Sequence, residues 1–382
     1  MFILFLSIFL LAYSIINYYI FIRGWQALDL YPAIRIVYAV LFFVLYASFI
    51  SGRFLERMSI THLSTSMVWI GSFWLAAMVY FLFFVLMIDL VRFFWHITHI
   101  TPTFIYAHYE LIKLILISAA TATIGVAMVA GHLNAISPRL KNLEITIPKA
   151  GGTLKNLNIA VASDIHLGTI VSQGRLEHII DIINGLQPDL ILLPGDVIDE
   201  DLGPVIKMNL GETLRKFKAK FGVFAVTGNH EYIGGVEPAC KYLTEHGITM
   251  LRDKVVLIEN SLYLAGREDI SIRQFARGKR MELKELVAGI DTTLPVILMD
   301  HQPFHLEDAM NNKIDLQLSG HTHHGQMWPF NYITEKVYEL SWGFLRKGNT
   351  QYYVSCGVGT WGPPVRIGNT PEILNIRLKI GN

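Results

Sequence analysis

Four apolar stretches, residues 2–22, 36–52, 66–88 and 114–131, crowd into the first third of a 382-residue chain. A hydrocarbon layer about 30 Å thick is crossed by roughly 17–25 apolar residues at the helical rise. Residues 1–131 are therefore expected to form an all-α bundle of four transmembrane helices. Only six of the 32 Lys/Arg and four of the 31 Asp/Glu fall in this part, so the rest carries the charge density of a soluble domain. The first stretch lacks a basic start and a small-residue cleavage site and is read as a retained helix. The fourth is rich in Ala, Thr, Ser and Gly and is expected to pack inside the bundle. Asp89 and Arg92, one turn apart, are expected to pair at the interface. Four spans put the N-terminus and the C-terminal part on one side of what is expected to be a cell inner or plasma membrane. Five basic residues near that side, against four near the other, favour the cytoplasmic face.

Composition also excludes. With a net charge of +1 and no basic cluster, nothing recommends nucleic acid as a partner. Cys240 and Cys356 cannot build a disulfide framework or a thiolate zinc site. Oligomeric state is left open.

After a Pro- and Lys-bearing connector, residues 132–156, short apolar runs alternate with amphipathic stretches over 157–382, the pattern of strands feeding helices. Strands are expected at 158–163, 189–194, 222–227, 295–299 and 315–319, and helices near 175–185, 204–220, 236–246 and 281–290. Strand-like runs near 254–265, 351–355 and 372–380 imply a mixed sheet. Asp164, Asp196, Asn229, His301 and His321 each follow an apolar run. In open α/β sheets the loops beyond strand C-termini converge on a ligand crevice.

The blocks themselves are Asp164-Ile165-His166, Gly195-Asp196-Val197-Ile198-Asp199, Gly228-Asn229-His230-Glu231, Asp300-His301 and Gly320-His321-Thr322-His323. Oxygen and imidazole donors without thiolate suit divalent Mn, Fe or Zn. Two donors one residue apart would diverge on a regular strand, but just past its end they can curve toward one centre. Glycines before Asp196, Asn229 and His321 let the backbone approach closely. Any one block is ordinarily a surface or turn feature; five at strand ends are not.

In this order the blocks resemble the calcineurin-like metallophosphoesterases, whose pattern is D-x-H, G-D-x-x-D, G-N-H-E/D, H and G-H-x-H. The resemblance covers about residues 158–325. It implies an α/β fold, a four-layer α/β/β/α sandwich, and two divalent metal ions, with Mn favoured. By the same resemblance Asp164, His166 and His323 hold one ion, Asn229, His301 and His321 the other, and Asp196 bridges them. His230 is implied as the group that protonates the leaving oxygen, and Asp199 as the carboxylate that orients it. Two cations about 3.5–4 Å apart can clamp a phosphoryl group and turn a shared water into hydroxide. A tyrosine ligand, as in purple acid phosphatases, is replaced here by Asp199.

Three further features resemble the bacterial membrane-associated YaeI- and YkuE-like phosphodiesterases: Gly266-Arg267-Glu268-Asp269, Gly320 to Gln326, and Gly359 to Arg366. His324 and Cys356 depart from that pattern, the latter where an arginine is usual. Arg267, Arg273 and Arg366 are candidates for holding the substrate's non-reacting part. The expected function is a membrane-anchored phosphodiesterase or pyrophosphatase, with a phosphorylated small-molecule or lipid-linked substrate such as UDP-2,3-diacylglucosamine. The alternatives are a phosphomonoesterase or phosphoprotein phosphatase, and a non-catalytic membrane sensor or scaffold.

Overall fold

The structure, a computed structural model, describes residues 2–149 and 152–381, with side chains from Ser7 onward. Met1, Asn382 and the connector's Ala150 and Gly151 lie outside the described residues. The chain divides into two compact units, residues 1–132 with 362–365, and residues 133–361 with 366–382.

The first unit is built on the helices Phe2–Ala27, Pro32–Met58 and His62–Thr98, and the helix Tyr109–Ala135 begins in it. All four are long and apolar enough to cross a membrane, the first counted from Ser7. They outrun the apolar stretches; Pro32 opens the second, and Thr61 with Ser64 forms a capping box on the third. Close packing is carried by Gly52 and Gly71. A Cβ on Gly71 would strike the Phe49 backbone, and one on Gly52 the backbone at Met67–Val68. Gly125 of the fourth helix is not such a contact, since a Cβ there would meet nothing within 4 Å. Asp89 pairs with Arg92 at 3.4 Å, as expected, and more closely with Arg23 of the first helix at 2.6 Å, so the carboxylate also ties two helices together.

Among the described residues the second unit has twelve strands: β1 (Arg139–Ile147), β2 (Asn156–Val161), β3 (Leu190–Pro194), β4 (Val223–Val226), β5 (Ile248–Met250), β6 (Lys254–Ile258), β7 (Leu262–Gly266), β8 (Val296–Met299), β9 (Leu316–Ser319), β10 (Gly343–Lys347), β11 (Thr350–Val354) and β12 (Glu372–Ile380). They make two six-stranded mixed sheets, ordered β1-β12-β2-β3-β4-β5 and β10-β11-β9-β8-β7-β6. Within the first, β2, β3, β4 and β5 run parallel, and within the second, β7, β8, β9 and β11 do.

Alternation along the strands explains the layering. Ile297 and Met299 of β8 face one core, shared with Ile159, Leu192 and Val226 of the other sheet. Val296 and Leu298 face the opposite way, onto Leu283, Leu286 and Leu306 of the outer helices. On the other sheet's side the helix Gln173–Gly185 buries Leu176, Ile179, Ile180 and Ile183 at helical spacing. The result is an α/β sandwich of two sheets flanked by helices.

The stretch 132–156, read from sequence as a connector, contains β1, which pairs in parallel with β12 along its whole length. Ile145 and Ile147 alternate into the core between the sheets. The expected helix at 204–220 is two short ones, Leu202–Lys207 and Leu210–Leu214, broken at Asn209 in the left-handed region. The run 254–265 is the hairpin β6–β7.

Ile145→Ala should therefore destabilise the chain by about 2–5 kcal/mol, as for a core residue, and lower the midpoint of unfolding in detergent. A shift of the size seen at exposed sites, within about 0.5 kcal/mol, would make 139–147 a mere connector.

Candidate metal centre

Parallel pairing delivers the motif blocks to one place. Strands β2, β3 and β4 of one sheet and β8 and β9 of the other end just before Asp164, Asp196, Asn229, His301 and His321 respectively. The loops after β2 and β3 are zipped together by the Asp164, His166 and Leu167 amides donating to the Gly195, Asp196 and Val197 carbonyls, at 2.9–3.1 Å.

Donors one residue apart converge because the backbone leaves the strand in the left-handed region. Asp164, His166, Asp196, His321 and His323 have φ of 55°, 53°, 51°, 70° and 45°, a conformation costing on the order of 1–3 kcal/mol per non-glycine residue. The hydrogen bonds around them hold it. Three glycines supply clearance: a Cβ on Gly195 would strike the His301 ring, one on Gly228 the Asp196 carboxylate, and one on Gly320 Ser163 and Asp164.

Two donor sets result. Nitrogen and carboxylate atoms of Asp164, His166 and His323 lie within 4.8 Å of one another, as do those of Asp196, His301 and His321. Asn229 joins the second set, its Oδ1 2.8 Å from His321 Nδ1 and 3.3 Å from His301 Nε2. Asp196 stands between them. Its Oδ1 accepts from the His230 amide at 2.9 Å, and its Oδ2 is 3.1 Å from His301 Nε2 and 3.8 Å from His166 Nε2. His301 Nδ1 lies 2.8 Å from the Pro194 carbonyl, which turns Nε2 toward the centre.

Electrostatics fit divalent cations. Burial, with help from the neighbouring His301, pushes His321 down to about 3, and burial with His166 and Arg366 pushes His323 well below its ordinary range. Both imidazoles are thus neutral donors. Two buried carboxylates, Asp164 and Asp196, face these rings with little solvent to compensate them. The donors are oxygen and imidazole nitrogen, the set that Mn, Fe and Zn accept. The thiols stand apart: Cys356 Sγ is 3.0 Å from the Thr370 carbonyl and burial raises its pKa.

A third group adjoins the first. Asp199 Oδ1 is 3.0 Å from His230 Nδ1 and 3.6 Å from His166 Nδ1. Burial alone would lower the His230 pKa, but the carboxylates of Asp196 and then Asp199 raise it to about 9.

Glu231, visible in its motif but given no part there, ties the loops. Its carboxylate accepts from the amides of Gly228 at 2.7 Å, Ile198 at 2.9 Å and Asp196 at 3.2 Å. Two of the arginines singled out from sequence are already committed. Arg366 is 1% exposed and donates to the Cys356, Gly357 and Gly359 carbonyls, with Nη2 also 3.2 Å from His323 Nδ1. Arg267 and Arg280 both pair with Asp300, at 3.1 and 2.9 Å, beside His301. Arg273 is exposed. His324 turns to Ser341 Oγ at 3.0 Å and Glu335 at 3.7 Å, a rim position.

Gly228→Ala should displace the Asp196 carboxylate without replacing any donor residue. Divalent metal content by elemental analysis is expected to fall while circular dichroism stays unchanged; full metal content would contradict the tight approach.

The calcineurin-like phosphoesterase family matches residues 157–325. A "Transmembrane protein with metallophosphoesterase domain" of Danio rerio is 33% identical over 266 residues, 66% of this chain and 60% of that one. An "Uncharacterized metallophosphoesterase" of Helicobacter pylori is 32% identical over 246 residues, 63% of this chain and 64% of that one. The chain thus spans under two thirds of the length of these two relatives. A third, the "Uncharacterized metallophosphoesterase" of Aquifex aeolicus, is 31% identical over 252 residues, 65% of this chain and 94% of that protein. With this coverage, and with the family's motif blocks gathered at one end of a two-sheet sandwich, the chain belongs to the calcineurin-like phosphoesterase family.

Proposed function

We propose that the chain is a membrane-anchored dimetal phosphohydrolase of the YaeI/YkuE-like branch, acting as a phosphodiesterase or pyrophosphatase on a lipid-linked substrate such as UDP-2,3-diacylglucosamine. The observation that carries the reading is His230, its Nδ1 3.0 Å from Asp199 Oδ1, set against two converging donor sets. Hydrolysis needs two things of the protein: charge to bind the phosphoryl group, and a proton for the leaving oxygen.

Asp164, His166 and His323 would hold one cation, Asn229, His301 and His321 the other, with Asp196 shared between them. When bound, two such ions, with Mn favoured, supply charge to the phosphoryl group and activate water. His230 donates its proton as the P–O bond breaks, and Asp199 keeps the ring oriented and charged. Glu231 keeps the loops carrying Asp196 and Asn229 in register. The membrane assignment is supported by the four apolar helices and by connectivity, since the last ends at Ala135 and β1 begins at Arg139. The balance of basic residues favours the cytoplasmic side of an inner or plasma membrane.

The test is turnover of a diester, a phosphomonoester and a UDP-linked lipid by the full chain, stripped of metal and reloaded with Mn²⁺. Diester or pyrophosphate cleavage is expected; monoester turnover alone would sink the diesterase reading, and none at all would favour a scaffold. His230→Ala should keep its metals and lose roughly 10²–10⁴ in rate. A general acid acts below its pKa, so the rate should fall as pH rises through the value for His230. Cations beside the ring move that limb below 9, and the limb should vanish in His230→Ala. Asp196→Asn should weaken both metal sites together; loss of one ion only would refute sharing.

A further inference from the structure

One large aromatic ring beside the centre has no part in the chemistry above. Trp361 is 53% exposed, and its ring centroid is 6.0 Å from that of His230, at an interplanar angle of 75°. Single exposed aromatics are ordinary on protein surfaces, and exposure by itself implies nothing. What distinguishes Trp361 is that its main chain is held from both directions. Its amide donates to Gln326 Oε1 at 2.9 Å, and its carbonyl accepts from Gln326 Nε2 at 2.9 Å. Gln326 is buried and follows the His321–His323 block by three residues. The residue before, Thr360, accepts at Oγ1 from Arg175 at 3.1 Å. The main chain that carries the indole is thus fixed by the donor loop itself, next to the imidazole assigned to the leaving oxygen.

The opposite wall differs. Tyr338 lies beside His321, with centroids 6.0 Å apart, but it is itself packed against Phe304, with centroids 4.8 Å apart and rings tilted by 39°. Tyr338 is used in packing, whereas Trp361 presents more than half of its surface to whatever enters beside His230.

We propose that Trp361 is a specificity-determining residue: its indole face stacks on a planar ring in the leaving group, of the kind a nucleobase or aryl alcohol carries. This rests on the reading of His230 as the leaving-group acid. That geometry requires the departing oxygen to lie within reach of His230, so the atoms attached to that oxygen pass Trp361 first. An indole face attracts a planar ring through offset stacking beyond what area burial supplies, and such stacking tolerates differences in the ring's hydrogen-bonding edge. A saturated ring of similar size gains only the burial.

The test compares two diesters of matched leaving alcohols, benzyl methyl phosphate and cyclohexylmethyl methyl phosphate. It adds their non-hydrolysable phosphonates, in which a methylene replaces the leaving oxygen, and uses the full chain loaded with Mn²⁺. The wild type should prefer the benzyl compounds in both KM and Kd. Trp361→Ala should reduce that preference about tenfold, through KM rather than kcat and with Mn content retained, while Trp361→Phe keeps most of it. Equal weakening for both rings would make the residue a general apolar wall and overturn the stacking role. So would a wild type that shows no preference or binds neither phosphonate. If the phosphonates bind but neither diester is cleaved, the hydrolase reading fails, and the Kd comparison still decides the case for Trp361.

Discussion

A carboxylate buried between two histidine sets has to be compensated by what surrounds it, and Asp196 imposes that demand on the whole centre. It is 1% exposed. One oxygen is consumed by the His230 amide, and the other is left facing His301 and His166. An uncompensated charge in such a place would cost several kcal/mol, so the loops around it are arranged to deliver positive or polarisable partners. The glycines that admit the loops, the left-handed backbone at five of the donor positions and the Glu231 brace all serve that approach. Divalent cations would complete it, which would couple metal binding to the stability of the same loops.

Much of the centre was legible because its logic is local. Each donor block follows an apolar run, and strand ends are where such blocks converge, so β2, β3, β4, β8 and β9 could be assigned with their loops. What could not be read was set by distant partners. β1 carries alternating Leu143, Ile145 and Ile147, yet it is a strand because β12, more than two hundred residues later, lies beside it. The hairpin β6–β7 looked like one run because its connection is only Glu259-Asn260-Ser261, the first two at positive φ, without the Asn-Gly or Asp-Gly that usually marks such turns.

The same distinction separates Glu231 and the arginines from the metal donors. Glu231 stood in its motif, but its work is to accept three backbone amides from two loops, and no side-chain pattern announces that. A guanidinium suits an incoming phosphate and a buried carbonyl cluster equally well. Only packing shows that Arg366 braces the turn behind His323 and that Arg267 neutralises Asp300. In the helical unit, Asp89 was paired by sequence proximity with Arg92, whereas the shorter contact is to Arg23 on another helix.

The account stands or falls on two cations sharing Asp196. Anomalous diffraction from crystals of the chain grown with Mn²⁺ tests this most directly. Two Mn peaks are expected about 3.5–4 Å apart, one bordered by Asp164, His166 and His323, the other by Asn229, His301 and His321, with Asp196 between them. A single peak, or two peaks that Asp196 does not separate, would contradict it.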